Sequence, residues 1–144
     1  SRGLGDVYKR QVEAGLEIAG KLDAMPCKCL LLRSRKKEYY MVLLPGNKRL
    51  SSKELSECIG CSHLSFASGK ELDELLHAKQ GTVSPLGLLF DTNNQIQLLI
   101  DKEVAESDYF VCHPNDNTCS LRIKTSDMLE TYLPAIGKKY LSII

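Results

Sequence analysis

The strongest constraint on the fold is a pair of short apolar runs flanking a polar turn. Lys28 to Arg33 (KCLLLR) and Tyr39 to Leu44 (YYMVLL) are too short for buried helices and read as buried strands. Arg33 to Lys37 (RSRKK) turns the chain between them, which predicts a hairpin. Pro45-Gly46-Asn47 is a turn by composition.

Two helices announce their starts. Ser51 with Glu54, and Ser68 with Glu71, have the spacing of capping boxes, and Leu50 is placed to staple onto Leu55. Gly60 ends the first helix, and the second runs to about His77. His63 to Phe66 forms a short strand between them. Beyond the Gly81 to Pro85 loop, Leu86 to Phe90 and Gln95 to Ile100 read as strands joined at Asp91 to Asn94. Asp101 to Ser107 is a turn or a single helical turn. Tyr109 to Cys112 and Cys119 to Ile123 are strands around HPNDNT, Thr125 or Ser126 caps a helix that Pro134 stops, and Tyr140 to Ile144 closes the chain as a strand. Val12 to Leu22 reads as a short helix weakened by Gly15 and Gly20. Residues 1–11 (SRGLGDVYKRQ) read as a leader foreign to the fold, leaving residues 12–144 as one domain. This order predicts an α+β domain with a mixed sheet of about seven strands and flanking helices, rather than regular βαβ winding.

Composition narrows the class. Hydrophobic residues at 43 % and charged residues at 26 % exclude a disordered chain. No apolar run reaches the ~18 residues of a membrane span, and the first ten residues lack the apolar core of a signal peptide. Six cysteines are too few for a disulfide scaffold and read as free thiols of a reducing cytoplasm. The net charge of +1 hides segregation. Residues 33–53 carry a net +6, from Arg33, Arg35, Lys36, Lys37, Lys48, Arg49 and Lys53 against Glu38. Residues 91–116 carry a net −5. A polarised molecule can show a basic face to a phosphate backbone without being basic overall. The segment around Arg33, Arg35, Lys36 and Lys37 is either a solvated turn or an RNA contact, with Lys48 as a further cation.

The chemistry-bearing residues are few. Cys58-x-x-Cys61 begins on a helix and does not have the placement of a zinc knuckle, and Cys27-x-Cys29 lies at a strand start where alternate residues share a face; free cysteine is the expected reading and a small zinc protein its rival, with no metal expected. Cys112 and His113 are strand neighbours that point to opposite faces, which argues against a thiol–imidazole pair. His113 itself caps a turn or touches substrate. Lys28, at the mouth of an apolar strand, either snorkels to water or stands in a cleft. In a cleft, its point charge suits a phosphate or a polarised ester carbonyl. Gly81 to Gly87 (GTVSPLG) is a plain connector or a loop offering bare N–H groups to an oxyanion or a ribose.

Taken together, KCLLL at Lys28, YYMVLL followed by Asn47-Lys48-Arg49, LSFAS at Leu64, GTVSPLGLLFD at Gly81, LLIDK at Leu98 and HPNDNT at His113 resemble the YbaK/ProX family of aminoacyl-tRNA editing domains. The likeness is strongest to the family's prolyl-tRNA deacylase branch and spans residues 12–144. The resemblance implies a monomeric or weakly dimeric cytoplasmic hydrolase that clears mischarged Ala-tRNA(Pro) without a protein nucleophile or a cofactor. Its partners would be the acceptor end of tRNA(Pro) and prolyl-tRNA synthetase. It implies roles for Lys28 and His113 in catalysis. Cys29, Gly81, Ser84, Pro85, Gly87, Asn117 and Thr118 would form the substrate pocket. Two departures stand out. Cys29 occupies the place where the family usually carries Asn, and the leader occupies the place of an N-terminal helix and strand. A Cys-tRNA(Pro) deacylase of the same fold and a non-catalytic tRNA-binding module are the rival readings.

Overall fold

A computed structural model describes residues 24–49, 51–61, 63–79, 83–112 and 121–143. Among them the chain forms strands β1 (Met25–Ser34) and β2 (Tyr39–Pro45), helix α1 (Ser52–Ile59), strand β3 (Leu64–Phe66) and helix α2 (Gly69–Leu76). A 3-10 helix (Pro85–Phe90), strand β4 (Ile96–Asp101), short helix α3 (Lys102–Glu106) and strands β5 (Tyr109–Cys112) and β6 (Leu121–Lys124) follow. A helix over 125–135, α4, and strand β7 (Tyr140–Ile143) complete the order.

The seven strands make one mixed sheet in the order β6-β5-β1-β2-β4-β7, with β3 also on β1. The expected hairpin is present: β1 and β2 pair antiparallel from Cys27 opposite Pro45 to Arg33 opposite Tyr39. β2 then pairs parallel with β4, and β4 parallel with β7. Strands that are covered on both faces need no polar alternation, which is why YYMVLL is apolar throughout.

Side-chain alternation splits the interior in two. Leu31, Met41, Leu43, Leu98 and Ile100 point to one face and pack against Leu72 and Leu76 of α2, Leu88, Val104, and Met128 and Leu133 of α4. Leu32, Tyr40, Val42, Leu44 and Leu99 point to the other face and meet Leu55 of α1, Leu64 and Ile143. Both capping boxes form as the sequence predicts, with Ser51 and Ser68 accepting from the backbone N–H of Glu54 and Glu71. Gly60 closes α1 at φ 82° in the left-handed region. The proposed Leu50 staple and the Val12 to Leu22 helix lie outside the described residues.

Two expectations are corrected. Leu86 to Phe90 is a 3-10 helix rather than a strand. Pro85 sits in its first turn, where its fixed φ is pre-set and its missing N–H costs nothing, and the Gly87 N–H bonds back to the Ser84 carbonyl. Five apolar residues carry too little periodicity to distinguish the two states. The last helix begins after Lys124 rather than at a Thr125 or Ser126 cap, and Pro134 does not stop it. A π-helical turn over Met128–Tyr132 precedes the proline, with the Leu133 N–H reaching back to the Met128 carbonyl. That wider turn, together with the exposed position of Pro134, lets the helix run to Ala135. The true stop is Gly137 at φ 71°. There Lys138 N–H bonds to Leu133 O and Gly137 N–H to Pro134 O, the paired bonds of a Schellman end.

A buried ion pair ties this end to the sheet. The Asp91 carboxylate accepts from the N–H groups of Gln95 (2.9 Å) and Ile96 (2.8 Å) and from the Lys138 ammonium. Lys138 also donates to Asn94 Oδ1 at 2.9 Å and to the Ile96 carbonyl. Among the described residues no helix is long and apolar enough to cross a membrane.

Two stability predictions follow from these contacts. Asp91→Ala leaves a buried ammonium without its anion and is expected to cost about 3–5 kcal/mol, read as a lowered urea midpoint. Glu71 closes its capping box, accepts from the Tyr39 hydroxyl and meets Arg33 at 3.3 Å. The Ser68 N–H first, then the Tyr39 hydroxyl, lower its carboxyl from 4.5 to about 2. A depressed carboxyl stabilises the fold above its unfolded pKa, so this contribution is lost as pH falls from about 4.5 toward 2. Glu71→Gln should flatten the stability–pH curve in that window, measured by denaturant titration at each pH.

Candidate active site

The site candidates gather where the edge of β1 opens. On the side away from β2, β5 pairs with β1 at Met25 and Pro26, and β3 pairs with it at Leu32 to Ser34. Between those ladders, among the described residues, no strand pairs with Cys27 to Leu30, and the Ala67 N–H caps the Leu31 carbonyl. β5 ends at Cys112 beside this opening. A gap in a sheet leaves main-chain hydrogen-bonding groups for something other than a strand.

Alternation along β1 separates neighbours. Cys27 and Cys29 turn toward the first core, together with Leu31. Lys28, paired with Leu44, turns toward the face that carries Leu30 and Leu32. Lys28 is half-buried, and burial, with Arg49 as a lesser cause, lowers its pKa below the usual ammonium value. No carboxylate pairs with it among the described residues. Lys48 behaves in the opposite way. It meets the fully buried Asp101 carboxylate at 2.7 Å, and this hydrogen bond raises its pKa.

The thiols form a neutral wall. Burial pushes Cys27 and Cys29 well up, and the nearby thiols add to the effect. Burial alone pushes Cys112 to about 12. Thiols of this kind are poor nucleophiles and act as small apolar surfaces. Among the described residues no three His, Cys, Asp or Glu side chains converge as a metal site.

The loop ahead of the 3-10 helix lies on the thiol side of the sheet, where Val83 and Leu86 pack against the first core with Cys27 and Cys29, the face away from Lys28. Ser84, Pro85 and Gly87 are buried, and the Ser84 hydroxyl has no hydrogen-bond partner among the described residues. A buried, unsatisfied hydroxyl is unusual in a native structure. Tyr132 of α4 holds the loop. Its hydroxyl donates to the Leu86 carbonyl at 2.6 Å and to the Pro85 carbonyl at 3.3 Å. Burial raises the Tyr132 pKa, and the Cys112 thiol adds to the rise. Tyr132 therefore links the loop to the thiol wall. The sequence reading missed it, because a tyrosine 46 residues from its carbonyl partner leaves no local signal.

Of the other expected residues, Gly81, His113, Asn117 and Thr118 lie outside the described residues. Arg33 is drawn to Glu71. Arg35, Lys36 and Lys37 are exposed at the hairpin tip. Tyr132→Phe keeps the ring and removes one buried hydrogen bond. It should cost about 0.5–1.5 kcal/mol in a urea titration.

Comparison with known proteins gives the family. The family model for the aminoacyl-tRNA editing domain matches residues 9–131. The prolyl-tRNA editing protein ProX of Acetoanaerobium sticklandii is 32% identical over 117 residues, covering 81% of this chain and 71% of that protein. The prolyl-tRNA synthetase associated domain-containing protein 1 of Danio rerio is 29% identical over 120 residues, 82% of this chain and 65% of that protein. A proline–tRNA ligase of Methylobacillus flagellatus is 31% identical over 78 residues, 54% of this chain and 13% of that enzyme. A solved structure of a proposed trans-editing enzyme for prolyl tRNA synthetase shares the fold, with a TM-score of 0.66 at 18% identity over 94% of this chain and 95% of that one. With its family model matched over most of its length, this chain belongs to the aminoacyl-tRNA editing domain family.

Proposed function

We propose that the chain is a cytoplasmic trans-editing hydrolase that removes alanine from mischarged Ala-tRNA(Pro), correcting errors of prolyl-tRNA synthetase. The observation that carries this reading is Lys28, a half-buried ammonium without a carboxylate partner among the described residues, set on the stretch of β1 whose edge away from β2 meets no strand among them. An ester carbonyl gains negative charge as water attacks it. A partly desolvated cation in reach stabilises that charge more than it stabilises the ground state.

The surroundings fit a reaction without a protein nucleophile. The three thiols nearby are held neutral. Water is then the attacking group, and the protein contributes position and charge. Lys28 and His113 serve as the catalytic residues in this reading. Cys29, Ser84, Pro85 and Gly87, with Gly81, Asn117 and Thr118, form the substrate pocket. Small apolar groups such as Cys29 suit a small side chain. A pocket too small for proline supplies the second sieve that the synthetase lacks.

Single-turnover hydrolysis of Ala-tRNA(Pro), Cys-tRNA(Pro) and Pro-tRNA(Pro) tests the reading. Alanine is expected to be released fastest and proline spared, with Lys28→Ala slowing release by about 100-fold or more. Faster loss of cysteine than alanine would reassign the substrate. Equal rates for the parent and Lys28→Ala would remove the lysine from the mechanism.

A further inference from the structure

Two irregular helices of this chain meet at one hydroxyl. In the π-helical turn over Met128–Tyr132 and the residue after it, Met128 and Leu133 stand five positions apart, and both are buried in the first core. Residues five apart on a regular α-helix point about 140° from each other. The wider turn brings these two onto one face and leaves Tyr132 half-buried beside them, packed against the same core. From there the Tyr132 hydroxyl reaches the 3-10 helix over Pro85–Phe90. Turns of this kind are rare in helices and occur frequently at functional sites.

The contact is more than a prop. The hydroxyl donates to the Leu86 carbonyl at 2.6 Å and to the Pro85 carbonyl at 3.3 Å, and its oxygen accepts from the Leu89 N–H. The Leu86 carbonyl and the Leu89 N–H, three residues apart, are the two groups that a 3-10 helix pairs with each other. A side-chain hydroxyl that engages both fixes the opening of that turn, and with it the backbone that follows Ser84. The Cys112 thiol, at the end of β5, is close enough to act electrostatically on the same hydroxyl.

One oxygen thus stands where three segments distant in sequence converge: α4, the loop running into the 3-10 helix, and the end of β5. Apolar packing of Val83 and Leu86 on the first core holds the loop down, but it is non-directional. The Gly87 N–H bonds to the Ser84 carbonyl at 3.0 Å, which shapes the loop internally. The Tyr132 hydrogen bonds add direction, and they fix where the Pro85 and Leu86 carbonyls stand relative to β5.

We infer that Tyr132 is a positioning residue for amino-acid selectivity: by holding the Pro85 and Leu86 carbonyls against the end of β5, it sets the width of the pocket and so the exclusion of proline. This rests on the function proposed above, which places Ser84, Pro85 and Gly87 in the pocket wall and a small amino acid inside it. Tyr132 touches no reacting atom in this account and acts through the loop alone. Without its hydroxyl the loop relaxes outward, and the larger proline ring gains entry.

The test compares two variants of the full chain. Tyr132→Phe keeps the ring and removes the hydroxyl. Tyr40→Phe is the control, since the Tyr40 hydroxyl donates to Glu38 at 2.7 Å on the side of the other core and its loss leaves the loop untouched. kcat and KM for Ala-tRNA(Pro) and Pro-tRNA(Pro) are measured for the parent and both variants, at a temperature where circular dichroism shows all three folded. Tyr132→Phe should lower the kcat/KM ratio of alanine over proline by about ten-fold or more, the discrimination that one methylene carries in a fitted pocket. The change should come from faster loss of proline, with kcat for alanine altered less than about three-fold. Tyr40→Phe should keep the parent ratio. A parent-like ratio in Tyr132→Phe overturns the inference and leaves the proposed function standing. An equal fall in Tyr40→Phe also overturns it, because general loosening would then account for the effect. A parent that hydrolyses neither substrate removes the proposed function, and the inference with it.

Discussion

Seven consecutive rungs between β1 and β2 hold the rest of the structure in place. Their alternating side chains feed both cores, so any slip by one residue would turn each face inside out. Such a slip of β1 would turn Lys28 into the first core and move Leu31 out of it. Because β2 is covered on both faces, the register carries a large hydrophobic penalty for error. The opening on the far edge of β1 can therefore exist without putting the strand itself at risk. Among the described residues, the gap between β5 and β3 is a consequence of β1 pairing with different strands at its two ends.

The charges show what this frame does with buried ions. Asp91 and Lys138 neutralise each other, and so do Asp101 and Lys48, each with additional hydrogen bonds to the carboxylate. Such pairs offset most of the cost of desolvation and fix one loop against another. Lys28 has no such carboxylate among the described residues. Burial lowers its pKa, with a contribution from Arg49, so its ammonium is held at a cost that a bound anion or developing oxyanion would repay. The half-buried and buried lysines thus differ here in their partners: Lys48 and Lys138 meet a carboxylate, and Lys28 meets none among the described residues.

The thiols mark the same division. Cys27, Cys29 and Cys112 were legible as small buried hydrophobes, and burial makes them so by keeping them protonated. Their mutual proximity was not legible, since Cys112 lies on a strand 83 residues beyond Cys29 and reaches it only through parallel pairing of β5 with β1. The bracing of the Pro85 and Leu86 carbonyls by Tyr132 belongs to the same group of features, made by contacts between distant segments.

By itself the sequence determined what short-range physics controls. The hairpin, the two capping boxes, the Gly60 stop and the α+β order all come from residues a few positions apart. The ordered blocks from KCLLL to HPNDNT were enough to point to the family. The tertiary structure decided what depends on distant neighbours. Leu86 to Phe90 formed a 3-10 helix started at Pro85, with Leu88 buried in the first core. The last helix passed Pro134 because a π-helical turn made room for it. Lys48 was claimed by Asp101, 53 residues away, while Arg35 and Lys37 stayed in solvent. Local sequence can say which residues are charged or apolar. Which of them are left without a partner is decided by burial and pairing across the whole sheet.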